Sequence, residues 1–160
     1  MKYWLDTEFI EDGRTIDLIS IGIVAEDGRE FYAENMECDL SRASDWVREN
    51  VIPHLEGGDG PTDLSAEVRA FCDPDQHGKP EFWGYYADYD WVALCQLFGR
   101  MVDLPKGWPM YCRDIKQWAD QLGNPRLPEQ GKDEHHALAD AQWNRRAWDF
   151  LTALARHKDG

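Results

Sequence analysis

The chain has 160 residues, 42% of them apolar, and sets 17 lysines and arginines against 31 aspartates and glutamates for a net charge of −14. Its apolar content and eight tryptophans exclude a disordered segment and suit one domain over residues 1–160. So acidic a balance also argues against a broad basic face for long nucleic acid.

No apolar run approaches the roughly 20 residues of a membrane span, and no signal-peptide pattern opens the chain. Cys38, Cys72, Cys95 and Cys112 are scattered without paired spacing, as expected for reduced thiols in a cytoplasmic protein. Residues 2–9 read as a first strand and IDLISIGIVAED as a second, with Asp12-Gly13 turning the chain between them. Asp27-Gly28 leads into a third strand, REFYAEN, so the three form an antiparallel meander. After residue 40 the pattern changes. SDWVRENVIPHL reads as a helix up to Pro53 with Ser44 as its cap. GGDGPTD is a loop, and TDLSAEVRAFC an amphipathic helix. PEFWGYY predicts a fourth strand with the helix DWVALCQLFGRM behind it, and WPMYCRD a fifth with the helix DIKQWADQL. QLGNPRLPEQGK is a loop, and the last helix runs from about His135 to His157. Strands first, then alternating helix and strand, predict an α/β fold with one mixed sheet flanked by helices.

Three acidic clusters carry the chemistry. On a strand, Asp6 and Glu8 of DTEF point to the same face, where like charges repel and burial raises the cost. A magnesium or manganese ion between them removes both problems; an edge strand with both carboxylates in water is the plainer alternative. In WGYYADYDWVALCQL, Asp88 and Asp90 stand where a strand gives way to a helix, and Asp90 alone reads first as that helix's N-cap. In KDEHHALADAQWNRRAWDF, Asp140 lies on a helix beside Ala137, Leu138, Ala141 and Trp148, where an unpartnered carboxylate is costly. His135 precedes it by five residues, and a solvated helix start is the ordinary fate of a His135-His136 pair.

In order and wording, DTEF, GYYADYDWVAL and HHALADA resemble the three motifs of the DEDDh family of 3′–5′ exonucleases, ribonuclease T-like members of the ribonuclease H-like superfamily. The opening looks closest to the family's small polyadenylate-specific exoribonucleases. The resemblance implies a ribonuclease H-like sheet and two magnesium or manganese ions per site held by Asp6, Glu8, Asp90 and Asp140. It implies His135 as the base that deprotonates water, since only His135 has the family's spacing to Asp140. Asp88 stays open as an alternative to Asp90. The substrate implied is the 3′ end of single-stranded RNA, adenine-rich ends preferred, with nucleoside 5′-monophosphate as product; proofreading of DNA and silent nucleic-acid binding are the rivals.

Thr7, Phe9 and Tyr86 are placed at the substrate. Phe9 would face away from Asp6 and Glu8 on a regular strand, so stacking there needs a local twist. Tyr86 stands where the family often carries Asn. The family also implies a homodimer, with Trp46, Trp108, Trp118 and Trp143 as contact candidates and ordinary core packing as the alternative.

Overall fold

A computed structural model describes residues 1–158 of the chain. β1 (Lys2–Glu11) and β2 (Ile16–Ala25) form a hairpin whose turn is closed by Asp12 Oδ1, which accepts from the Arg14 and Thr15 N–H groups. Gly28, at φ +94°, turns the chain into β3 (Glu30–Glu34). Then follow α1 (Asp45–Asn50), α2 (Leu64–Phe71), α3 (Pro74–His77), β4 (Glu81–Gly84), α4 (Asp88–Gln96), β5 (Arg113–Asp114), α5 (Ile115–Gln121) and α6 (Ala137–Lys158).

The strands lie in the order β3-β2-β1-β4-β5; the first three are antiparallel, while β1, β4 and β5 run parallel. This is the α/β, ribonuclease H-like mixed sheet flanked by helices that the sequence predicts. Alternation along β1 divides the core. Tyr3 and Leu5 pack with Val68 of α2 and Trp91 and Leu94 of α4, whereas Trp4 packs with Ile115 of α5 and Ala141, Ala147 and Leu151 of α6. A third cluster joins Ile10 and Ile19 to Val47 of α1. Among the described residues, no helix is long and apolar enough to cross a membrane.

Local details differ from the sequence reading. Ser44 caps α1 as expected, accepting from the Val47 N–H, but the helix stops at Asn50 and a 3-10 turn carries Pro53. β5 keeps two residues of the seven in WPMYCRD, and α3, begun by Pro74 behind the Asp73 cap, was not predicted. α4 starts two residues before Asp90. The predicted subunit-contact tryptophans are mostly internal: Trp108 and Trp143 are buried, and Trp118 packs against Trp83 and Trp148.

One glycine decides where α6 begins. A Cβ at Gly22 would stand 2.3 Å from the Ala137 carbonyl oxygen and 2.4 Å from the Leu138 nitrogen, both main-chain atoms. Only a bare backbone lets the start of α6 lie on β2 at this point. Gly22→Ala is therefore expected to destabilise by about 1–3 kcal/mol or more, as overpacked sites do. Gly131→Ala, into open space, should leave thermal unfolding unchanged; equal melting temperatures for the two variants would refute the account.

Candidate active site

Gly22 is also the cross-strand partner of Asp6, so the helix that rests on it delivers its first turn to the acidic pair. Asp140 is buried in that turn. Its Oδ2 accepts the His135 N–H at 2.9 Å, and its Oδ1 accepts from Gln130 at 3.2 Å. Ligand atoms of Glu8, His135 and Asp140 all lie within 4.8 Å of one another. One turn further along α6, the buried Asn144 amide donates to the Leu5 carbonyl at 2.8 Å, tying the helix to β1 beside Asp6.

Asp90 arrives from the opposite face. Its Oδ1 accepts both the main-chain N–H of Thr7 (2.8 Å) and the Thr7 hydroxyl (2.6 Å). Asp90 is 6% exposed and sits inside α4, so it is not the helix cap; Ala87 precedes the helix with no side-chain cap of its own. Asp114 serves that end from a distance. Its Oδ2 accepts the Ala87 N–H at 2.8 Å, while its Oδ1 caps α5. Asp88, the alternative to Asp90, is exposed.

The electrostatics follow from the crowding. Burial first, then the Asp90, Asp140 and Glu8 carboxylates, hold Asp6 well above the usual carboxylate range. Burial, Asp140 and Asp90 push Glu8 up to about 8. Burial raises Asp90 to about 6 against the two hydrogen bonds from Thr7, and burial raises Asp140 against the His135 N–H. Among the described residues, no lysine or arginine forms an ion pair with any of the four. Asp6 is half-buried and Glu8, Asp90 and Asp140 are buried, and these clustered carboxylates form an oxygen donor set that fits hard divalent ions such as magnesium or manganese.

A family model described as Rv2179c-like, 3'-5' exoribonuclease Rv2179c-like domain, matches residues 1–152. The chain belongs to this Rv2179c-like family. Two curated relatives from Mycobacterium tuberculosis bear it out: 3'-5' exoribonuclease MT2234.1 of strain CDC 1551 / Oshkosh and 3'-5' exoribonuclease Rv2179c of strain ATCC 25618 / H37Rv. Each is 42% identical over 158 residues, spanning 96% of this chain and 94% of the relative.

Around the carboxylates of this Rv2179c-like chain, the residues expected at the substrate divide. Thr7 is buried and its hydroxyl is engaged by Asp90, so it braces a carboxylate. Between Glu8 and Phe9 the β1–β2 register shifts, because Ile19 is left unopposed on β2. The extra residue lies on β2, so β1 keeps its alternation: Phe9 shares the α4 side with Thr7 and meets Tyr89, ring centroids 5.8 Å apart. Tyr86 is exposed at φ +53°, a left-handed conformation that Asn adopts more readily than Tyr. Exposed Trp46 of α1 sets its ring edge-on to His135 at 5.0 Å.

Sequence reasoning missed Gly22, Asn144 and Asp114. Gly22 was visible as a lone glycine in the β-branched run LISIGIVA, a mark of close backbone approach. Asn144 stands four residues after Asp140, one helical turn on. Asp114 gave no local sign, since the N–H it serves is 27 residues away.

Proposed function

We propose that this chain is a divalent-metal-dependent 3′–5′ exoribonuclease of the DEDDh type, releasing nucleoside 5′-monophosphates from single-stranded RNA. The observation that carries the proposal is the convergence of Glu8, His135 and Asp140 within 4.8 Å, with the Asp6 and Asp90 carboxylates beside them. The family match and the names of both relatives support the 3′–5′ exoribonuclease part of the proposal.

Asp6, Glu8, Asp90 and Asp140 would hold the ions. When bound, these supply the positive charge that the scissile phosphodiester requires and activate the attacking water. The protein's own part is positional. Thr7 fixes Asp90 from the α4 side, and the His135 N–H fixes Asp140 from the α6 side. The His135 imidazole accepts the proton of the attacking water. The bond that breaks joins phosphorus to the 3′ oxygen of the penultimate nucleotide, so the terminal nucleotide leaves with its 5′-phosphate. Exposed Tyr86, Tyr89 and Trp46 offer ring faces to unpaired terminal bases, and stacking of this kind is worth about 1–3 kcal/mol per base. Such contacts are sequence-tolerant; the expected preference for adenine-rich ends rests on family resemblance alone.

Incubation of 5′-labelled single-stranded RNA and DNA with the protein and manganese, with and without EDTA, tests the reading. A ladder shortening from the 3′ end of RNA, abolished by EDTA, is expected; full activity in excess chelator, or degradation of DNA alone, would overturn it. Within this assay, His135→Ala should lose about 10²–10⁴-fold, the usual worth of a general base. His136→Ala should lose far less, and equal losses would refute the assignment of the base to His135.

A further inference from the structure

Resting on that reading of His135 as the base, we infer that Tyr32, His136 and Glu56 form a clamp that positions His135. His135 has φ +73°, a left-handed conformation that a residue with a side chain holds only when its surroundings enforce it. On one side the enforcement is visible at the site itself, where the His135 N–H donates to Asp140. On the other side it comes through the next residue. The His136 ring stacks on Tyr32 with centroids 4.5 Å apart and planes 21° from parallel. Its Nε2 lies 3.3 Å from Glu56 Oε1, and its Nδ1 accepts the Ala139 N–H at 3.4 Å.

The clamp is itself braced. Glu34 Oε1 accepts the Tyr32 hydroxyl at 2.9 Å and the N–H groups of Glu56 and Gly57 at 2.6 and 3.1 Å, so one carboxylate holds both the stacking ring and the loop bearing Glu56. Tyr32 is also in register. It pairs across β2–β3 with Gly22, which pairs across β1–β2 with Asp6, so Asp6, Gly22 and Tyr32 form one row across three strands. α6 begins over the missing side chain in the middle of that row. With His136 pinned at one end of the row and Asp140 delivered to the other, the peptide between His135 and His136 has little freedom to turn.

A plainer role exists for His136, as the cap of α6 through Nδ1. That role needs neither the stack on Tyr32 nor the contact with Glu56, and the two can be separated. His136→Ser keeps a capping oxygen but loses the stack; Tyr32→Leu loses the stack and leaves the cap intact.

The test measures kcat and KM on a 5′-labelled single-stranded oligoribonucleotide with manganese for wild type, His135→Ala, His136→Ser, Tyr32→Leu and each of the latter two combined with His135→Ala. Amide hydrogen exchange at His135 is followed in the metal-free proteins. Both clamp variants should lower kcat about 10-fold, the scale of a small misplacement, with KM within about 2-fold. Exchange at the His135 N–H should quicken by a similar factor. On the His135→Ala background each should cost well under its 10-fold, because the part that acts through the imidazole is gone and only the main-chain bond to Asp140 is left to disturb. Unchanged kcat, unchanged exchange, or losses that multiply on the His135→Ala background would overturn the clamp while leaving the base assignment standing. A fully active His135→Ala would remove both.

Discussion

Asp6→Asn, Glu8→Gln, Asp90→Asn and Asp140→Asn are each expected to remove nearly all hydrolysis while the protein stays folded. A single dipolar donor in a preorganised site is worth about 10²–10³ in rate. Losing a full charge proposed to hold the reacting ions should cost at least as much. The fold should survive because the native site is internally repulsive: burial and neighbouring carboxylates raise all four groups. Removing one charge relieves the other three, so melting temperatures without metal should hold or rise. Asp88→Asn is the internal control, since its side chain is exposed at the start of α4. Thr7→Val should fall between these results. It keeps the main-chain bond to Asp90 and loses the 2.6 Å bond from the hydroxyl, leaving Asp90 less firmly aimed. The measurement is initial rate on labelled RNA alongside thermal unfolding in EDTA. A wild-type rate in any of the four main variants would dismantle the assignment of the carboxylates.

How far the site could be read from sequence depended on the range of the interaction concerned. Asp6 and Glu8 share a face because strand periodicity is local, and Asp12-Gly13 and Asp27-Gly28 set the meander by turn chemistry that is equally local. Asp140 was legible as a carboxylate on an otherwise apolar helix stripe. The start of α4 was not, because its cap comes from Asp114 at the end of another strand and not from a residue beside Ala87. β5 was overextended for a related reason. Trp108 and Cys112 pack into the core without joining the ladder, so apolar content there records burial and not pairing. The left-handed turn at His135 could not be seen either, since what enforces it is Tyr32 and Glu56, far away in the chain. Thr7 carried no sign of its use, because its partner lies 83 residues on.

The same raised carboxylates give the second large effect, on stability as a function of pH and metal. An acid whose folded pKa exceeds its unfolded value favours the folded state most at low pH, and that advantage is lost as pH rises through the folded pKa. For Asp90 the loss is complete past about 6 and for Glu8 past about 8. In EDTA the melting temperature should therefore fall from pH 5 to pH 8. The surface carboxylates do not obscure this window. Asp12, Glu26, Asp27, Asp39, Asp63 and Asp103 are all lowered by hydrogen bonds or ion partners, so their contributions have the opposite sign and vanish only at more acidic pH. If the cluster holds metal as proposed, divalent ions should reverse the decline, because the ionised cluster exists in the folded chain and nothing comparable does in the unfolded one. At a free concentration about 100 times the dissociation constant, such binding adds about 2.7 kcal/mol. For a chain of this size that corresponds to a rise of about 5–10 °C at pH 8. At pH 5, where protons compete for the same oxygens, manganese should add much less. Asp6→Asn should flatten the pH slope in EDTA and abolish most of the metal-induced rise, because Asp6 lies among the other three carboxylates. The measurement is thermal unfolding at pH 5, 6.5 and 8 with EDTA or manganese. A wild-type melting temperature that stays level with pH and does not respond to manganese at pH 8 would mean that these four carboxylates are not a metal site.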